Sequence, residues 1–90
     1  MHPVTVHSED QRLARTIEEA AAELLRAMSR YGPMASAHEG FAVIFEELDE
    51  LKAEVWKSPA KRDPGAMRQE AVQLAAMALR FLYDVCGEPV

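Results

Sequence analysis

One cysteine, six aromatic residues and no long apolar run bound what this chain of 90 residues can be. The lone Cys86 excludes an internal disulfide and points to a reducing compartment. Near a helix end it reads as a small apolar side chain and not as a reactive thiol. No apolar stretch approaches the roughly 18 residues of a membrane-spanning helix, and the opening MHPVTVH has no signal-peptide core. The chain is therefore read as cytoplasmic, with no membrane partner. Base is scarce beside acid: 10 Lys and Arg face 15 Asp and Glu, for a formal net charge of −5. That sign gives no general attraction for phosphate backbones and argues against nucleic acid as a partner. There is also no Ser–His–acid set, no C-x-x-C, and no glycine-rich phosphate loop; GPMAS at 32–36 is too short and puts a proline where amides are required.

Strand patterns, internal repeats and low-complexity segments are absent too. What is present is apolar spacing of helical period, three times over. Ser8 and Gln11 have capping-box spacing, and Leu13, Ile17, Ala21, Leu24, Met28 and Tyr31 then recur every three or four residues. Gly32 is placed to take a left-handed stop, and Pro33 cannot continue a helix. Ser36 and Glu39 open a second helix with another capping box. Its stripe is Phe41, Ile44, Phe45, Leu48, Leu51 and Val55, and it runs to about Trp56 or Lys57. After the loop KSPAKRDPG, Asp63 reads as an N-cap with Pro64 in the first turn. The third helix has an expected inner face of Met67, Ala71, Leu74, Ala78, Phe81, Leu82 and Val85, and stops at Gly87.

These segments predict a single all-α domain over 1–90, with loose tails at 1–7 and 87–90. The expected architecture is a three-helix amphipathic bundle. With 49% apolar residues, many of them alanine, the helices suit close packing more than a large private core. Such a small chain is expected to complete a four-helix-type core by dimerising.

The acids of FEELDELKAEVW at 45–56 need an explanation, because like charges on neighbouring turns weaken a helix by roughly 0.2–0.5 kcal/mol per pair. At about 100° per residue, Glu47, Glu50 and Glu54 share one flank of the second helix. Asp49 falls on the other flank, and Glu46 points outward. On the third helix, Glu70, Gln73, Met77, Arg80 and Asp84 share a flank. Antiparallel packing would bring Glu47 and Glu50 against Glu70 and Gln73. Carboxylates gathered in a partly dry space raise one another's pKa unless a cation compensates, and Mg2+ accepts such oxygens together with waters and phosphates. A lone E-x-x-E pair is ordinarily a solvated face, so spacing by itself leaves both readings open.

EELDEL (46–51), followed after a short linker by EAVQLAAMALRFL (70–82), resembles the MazG-like all-α nucleoside triphosphate pyrophosphohydrolases. The likeness runs from YGPMASAHEGF through FLYDV. That superfamily carries Glu-x-x-Glu on one helix and Glu-x-x-Asp on the next, holding Mg2+ within a bundle. The resemblance implies Glu47, Glu50 and Glu70 as ligands of Mg2+, or of Mn2+, and a nucleoside triphosphate as substrate. The expected products are a nucleoside monophosphate and pyrophosphate. The aspartate of the second motif is here Gln73, which offers a carbonyl oxygen without charge and so a weak fourth ligand. Glu46 or Glu54 would assist the attacking water. Lys57, Lys61 and Arg62 would meet phosphate oxygens, against the simpler reading that they keep a loop soluble. A homodimer or homotetramer is expected. The alternative, favoured by Gln73, is a helical oligomer of the same fold that binds nucleotide or a protein partner without turnover. A plain interaction module with a charged face is a third reading.

Other polar and aromatic residues point less directly to a site. Arg80 and Asp84 are expected either to pair with the first helix or to touch a ligand. Trp56 reads as a core or dimer contact, and His38 as a surface histidine near the cap.

Overall fold

The computed structural model describes residues 8–87. The expected tail at 1–7, residues 88–90 and the side-chain cap of Ser8 lie outside the described residues. Three helices carry the chain: α1 at Ser8–Arg30, α2 at Ala37–Val55 and α3 at Pro64–Phe81. A short 3-10 turn, Pro59–Lys61, precedes α3, and a wide π-type turn, Leu82–Cys86, follows it. No strand occurs among the described residues, and none of their helices is long and apolar enough to cross a membrane.

The punctuation follows from side-chain chemistry. Ser36 Oγ accepts from the Glu39 amide at 3.1 Å and starts α2. Asp63 Oδ1 accepts from the amides of Gly65 and Ala66 at 2.9 and 3.3 Å, with Pro64 in the first turn of α3. Both satisfy amides that a helix start would otherwise leave unpaired. The end of α1 departs from expectation. Gly32 takes no left-handed conformation; among the described residues only Gly87 has a positive φ, 76°. Instead, the Arg80 guanidinium donates to the carbonyls of Tyr31 and Gly32, each at 2.8 Å. A charged side chain from another helix thus satisfies carbonyls at the end of α1 that a left-handed cap would serve.

α3 lies between the other two helices and packs on both. Arg68 pairs with Glu19 near one end, and Arg80 reaches Tyr31 and Gly32 near the other, so α1 and α3 run parallel. α2 runs antiparallel to α3, with Gly40 against Phe81 and Glu47 beside Gln73. At Gly40 the approach is close: a Cβ there would stand 2.7 Å from the Phe81 ring and 3.0 Å from Met34 Sδ. In the parallel register, the first turns of α1 project beyond the start of α3, leaving Leu13 and Ile17 more than half exposed.

The interior is thin. Ala27, Met34 and Ala76 are the buried apolar residues among those described, and no large side chain is fully enclosed. The expected inner faces are therefore corrected in part. On α3, Ala71 and Ala78 are exposed, as is Leu82 just past it, whereas Ala76 and Arg80 are buried. On α2, Phe41, Phe45 and Leu48 are exposed, while Gly40 is buried and Ile44, Leu51 and Val55 are half-buried. Tyr31, just past the end of α1, is exposed as well. The radius of gyration, 15.4 Å, exceeds the about 12 Å of a compact chain of this length.

Candidate functional site

The antiparallel packing of α2 on α3 brings acids from both helices to one place. Glu47 and Glu50 lie one turn apart on α2, and Glu70 faces them from the second turn of α3. Carboxylate oxygens of all three fall within 4.8 Å of one another. Glu47 and Glu70 are half-buried and Glu50 is exposed, so the cluster opens to solvent on one side. Gln73 lies one turn beyond Glu70. With its nitrogen toward the acids, its carboxamide donates to Glu47 Oε2 and Glu70 Oε2, each at 3.2 Å. The residue expected to present oxygen to a metal thus acts as a hydrogen-bond donor to two carboxylates. Rotating the amide by half a turn would present its oxygen instead.

Crowding changes how readily these groups ionise. Glu47 is pushed up to about 7, first by burial, then by the charge of Glu50 and a hydrogen bond shared with it, and by the charges of Glu70 and Glu46. Glu70 is raised by burial, by a hydrogen bond with Glu50 and its charge, and by Glu54. No lysine or arginine is bonded directly to Glu47, Glu50 or Glu70 among the recorded contacts of the described residues. The donor set is hard and oxygen-bearing, with three potential anions and one amide. Such a set suits Mg2+ or Mn2+, whereas a thiolate- or imidazole-preferring metal finds no ligand in it.

Beside the acids, a groove of about 480 Å³ runs between the C-terminal half of α1 and the first half of α2, floored by α3. Glu47 and Gln73 border both the groove and the cluster, and Met77 and Arg80 continue the floor. Glu46, expected near the chemistry, also lines this groove. From α1 come Glu23 and Arg26, an ion pair one turn apart. Sequence reasoning missed the α1 wall, because nothing in α1's spacing marks which turn will stand across from α2.

The other expected residues divide by position. Glu54 acts on Glu70 electrostatically and accepts from Lys57 Nζ at 2.9 Å. Lys57 is thereby held near the cluster's outer edge. Arg62 donates to the Val55 carbonyl at 3.0 Å, fixing the loop against the end of α2. Lys61 is exposed. None of these three cations lines the groove. Trp56 is exposed, with Lys52 Nζ 5.6 Å from its ring, and Cys86 and His38 are exposed.

Arg80 and Asp84 belong to a different device. Their side chains are 6% and 5% exposed, and Arg80 Nε donates to Asp84 Oδ2 at 2.9 Å. The Met34 amide donates to the same oxygen at 3.0 Å. The Met34 bond, with the bond and charge of Arg80, holds Asp84 below the usual carboxylate range against the opposing effect of burial. Together the pair locks the α1–α2 turn onto the end of α3, and Arg80 also lines the groove. Of the two uses expected for it, the geometry shows the tie to the first helix.

No protein-family model matches the chain, and no curated protein or solved structure matches it.

Proposed function

We propose that this chain is a metal-dependent nucleotide pyrophosphohydrolase, converting a nucleoside triphosphate to the monophosphate and pyrophosphate. The observation that carries the reading is the convergence of Glu47, Glu50 and Glu70 from two helices within 4.8 Å, beside a groove of nucleoside-accommodating size. Glu47, Glu50 and Glu70 would hold Mg2+ or Mn2+, and Gln73 would offer its carboxamide oxygen as a fourth, neutral ligand. When bound, the metal neutralises phosphate oxygens and lowers the pKa of the attacking water.

The chain's own residues do the rest. Glu46 at the groove wall, or Glu54 beside Glu70, accepts the proton of that water. Lys57 and Lys61 meet phosphate oxygens at the outer edge, and Arg62 holds their loop to α2. The groove takes the nucleoside and limits its access to bulk water. The working form is an assembly of identical chains, a homodimer or homotetramer.

One observation favours a second reading. The Gln73 amide bonds both Glu47 and Glu70, so the cluster partly satisfies itself without a cation. In that reading the chain is a helical oligomer that binds nucleotide or a protein without turnover.

Pyrophosphate release from a panel of ribo- and deoxynucleoside triphosphates, with Mg2+ or Mn2+, decides between them. Metal-dependent release that disappears in Glu47→Ala and rises in Gln73→Asp is the expected result. No release from any nucleotide, in the native chain or in Gln73→Asp, sinks the enzymatic reading.

A further inference from the structure

Arg80 does not spend all of its donors on the fold. Its Nε donates to Asp84 Oδ2, and its Nη2 donates to the carbonyls of Tyr31 and Gly32. Nη1 donates to none of the described residues. Yet among those residues no fully buried side-chain nitrogen or oxygen lacks a partner. Nη1 is therefore the part of this 6%-exposed side chain that reaches open space, and the space Arg80 lines is the groove. Three bonds fix the guanidinium plane and so aim the remaining nitrogen.

The antiparallel register sets what else stands along the groove. Gly40 lies against Phe81 and Glu47 beside Gln73, so Val43 comes level with Met77, and Glu39 comes near the level of Arg80. All four line the groove. From the carboxylate cluster outward it passes Gln73 and Glu46, then an apolar belt of Met77 and Val43, then the end at Arg80 and Glu39. Glu70 and Arg80 belong to one helix, and at about 1.5 Å per residue they stand about 15 Å apart along its axis. That distance matches the reach of a nucleotide from its phosphates to the far edge of its base.

We infer, on the nucleotide reading of this groove, that Arg80 and Glu39 select a nucleobase with a lactam edge, an oxo group beside an N–H. Nη1 donates to the oxo oxygen, the Glu39 carboxylate accepts from the adjacent N–H, and Met77 and Val43 cover the faces of the ring. Guanine, hypoxanthine, uracil and thymine carry that edge. Adenine and cytosine set an amino group and a bare ring nitrogen there, so donor meets donor and acceptor meets acceptor. A site built to bond such groups rejects a ligand that leaves them unpaired. Charge decides against a second phosphate at this end. Arg80 is balanced by Asp84 and Arg26 by Glu23, while Glu39, Glu46 and Glu47 have no basic partner among the described residues. A neutral oxo group accepts from Nη1 without adding to that negative charge.

The inference rests on the nucleotide reading and fails separately from it. Inosine triphosphate and purine riboside triphosphate differ only in the lactam oxo group and its N–H. With an imido bridge between the α and β phosphates neither is hydrolysed, so calorimetry with Mg2+ reads binding alone. The native chain is expected to bind the inosine compound about tenfold tighter, the discrimination of one good pair at a base edge. Arg80→Lys keeps a cation beside Asp84 and loses Nη1; it should bind the two compounds alike. Glu39→Ala should narrow the preference, and Arg26→Gln, on the α1 wall, should leave it as it is. A purely structural Arg80 would weaken both compounds by the same factor and keep their ratio, and that result overturns the proposal. Equal affinity of the native chain for the two compounds overturns it as well, with the nucleotide reading intact. Binding of neither compound removes the nucleotide reading and this inference together.

Discussion

A proton and a divalent cation compete for the oxygens of Glu47. Its pKa, raised to about 7, means that near neutrality a proton must leave before a metal can enter. Mg2+ or Mn2+ binding should therefore strengthen as pH rises through about 7, with net proton release on binding. Calorimetry in buffers of different ionisation enthalpy measures both, and a flat profile with no proton release would count against Glu47 as a ligand. The metal-free chain should show the opposite trend in stability. Because the folded state holds this proton more tightly than the unfolded one, the contribution is fully present below the ordinary glutamate value and lost as pH rises through about 7. Glu47→Gln should flatten that slope in thermal melts. Asp84 works with the other sign: lowered by the Met34 amide and by Arg80, it stabilises the fold at neutral pH and loses this only well into acid. Asp84→Asn leaves the Arg80 guanidinium buried without its counter-charge, a change that costs about 3–5 kcal/mol. A urea midpoint within error of the native value would refute this account of the pair.

Among the elements, α2 and α3 show what spacing can and cannot reveal. The caps at Ser36 and Asp63 were legible because a short polar side chain before a helical run has one common use. The meeting of Glu47 and Glu50 with Glu70 was legible for a related reason: two acids one turn apart must share a flank, and antiparallel neighbours bring flanks together. The inner face of α3 was not legible. Alanine and leucine surround that helix, so period alone favours no side, and the buried side holds Arg80 because carbonyls at the end of α1 and the Asp84 carboxylate receive its donors. At Gly40, the backbone of α2 comes close to the Phe81 ring of α3. Gly40→Ala gains about 1 kcal/mol of helix propensity, but drives a methyl into the Phe81 ring, and overpacking of that kind costs about 1–3 kcal/mol. The expected net is a lower melting temperature; a rise would mean that Phe81 yields easily.

For the molecule as a whole, composition and spacing pointed to an all-helical chain without a large private core, and the thin interior around Ala27, Met34 and Ala76 agrees with it. They did not give the parallel pairing of α1 with α3, because relative direction depends on the length and path of the α1–α2 turn and leaves no periodic trace. That pairing has a kinetic consequence. α2 and α3 meet across a connection of eight residues, 56–63, whereas the α1 contacts through Glu19 and through the Tyr31 and Gly32 carbonyls join residues 48 or 49 positions apart. Closing the longer loop costs more chain entropy, so the hairpin of α2 and α3 should form first on folding. α1 should dock last and detach first, opening one wall of the groove while the three carboxylates stay together on the pair that remains; faster hydrogen exchange in α1 than in α2 and α3 is the expected sign.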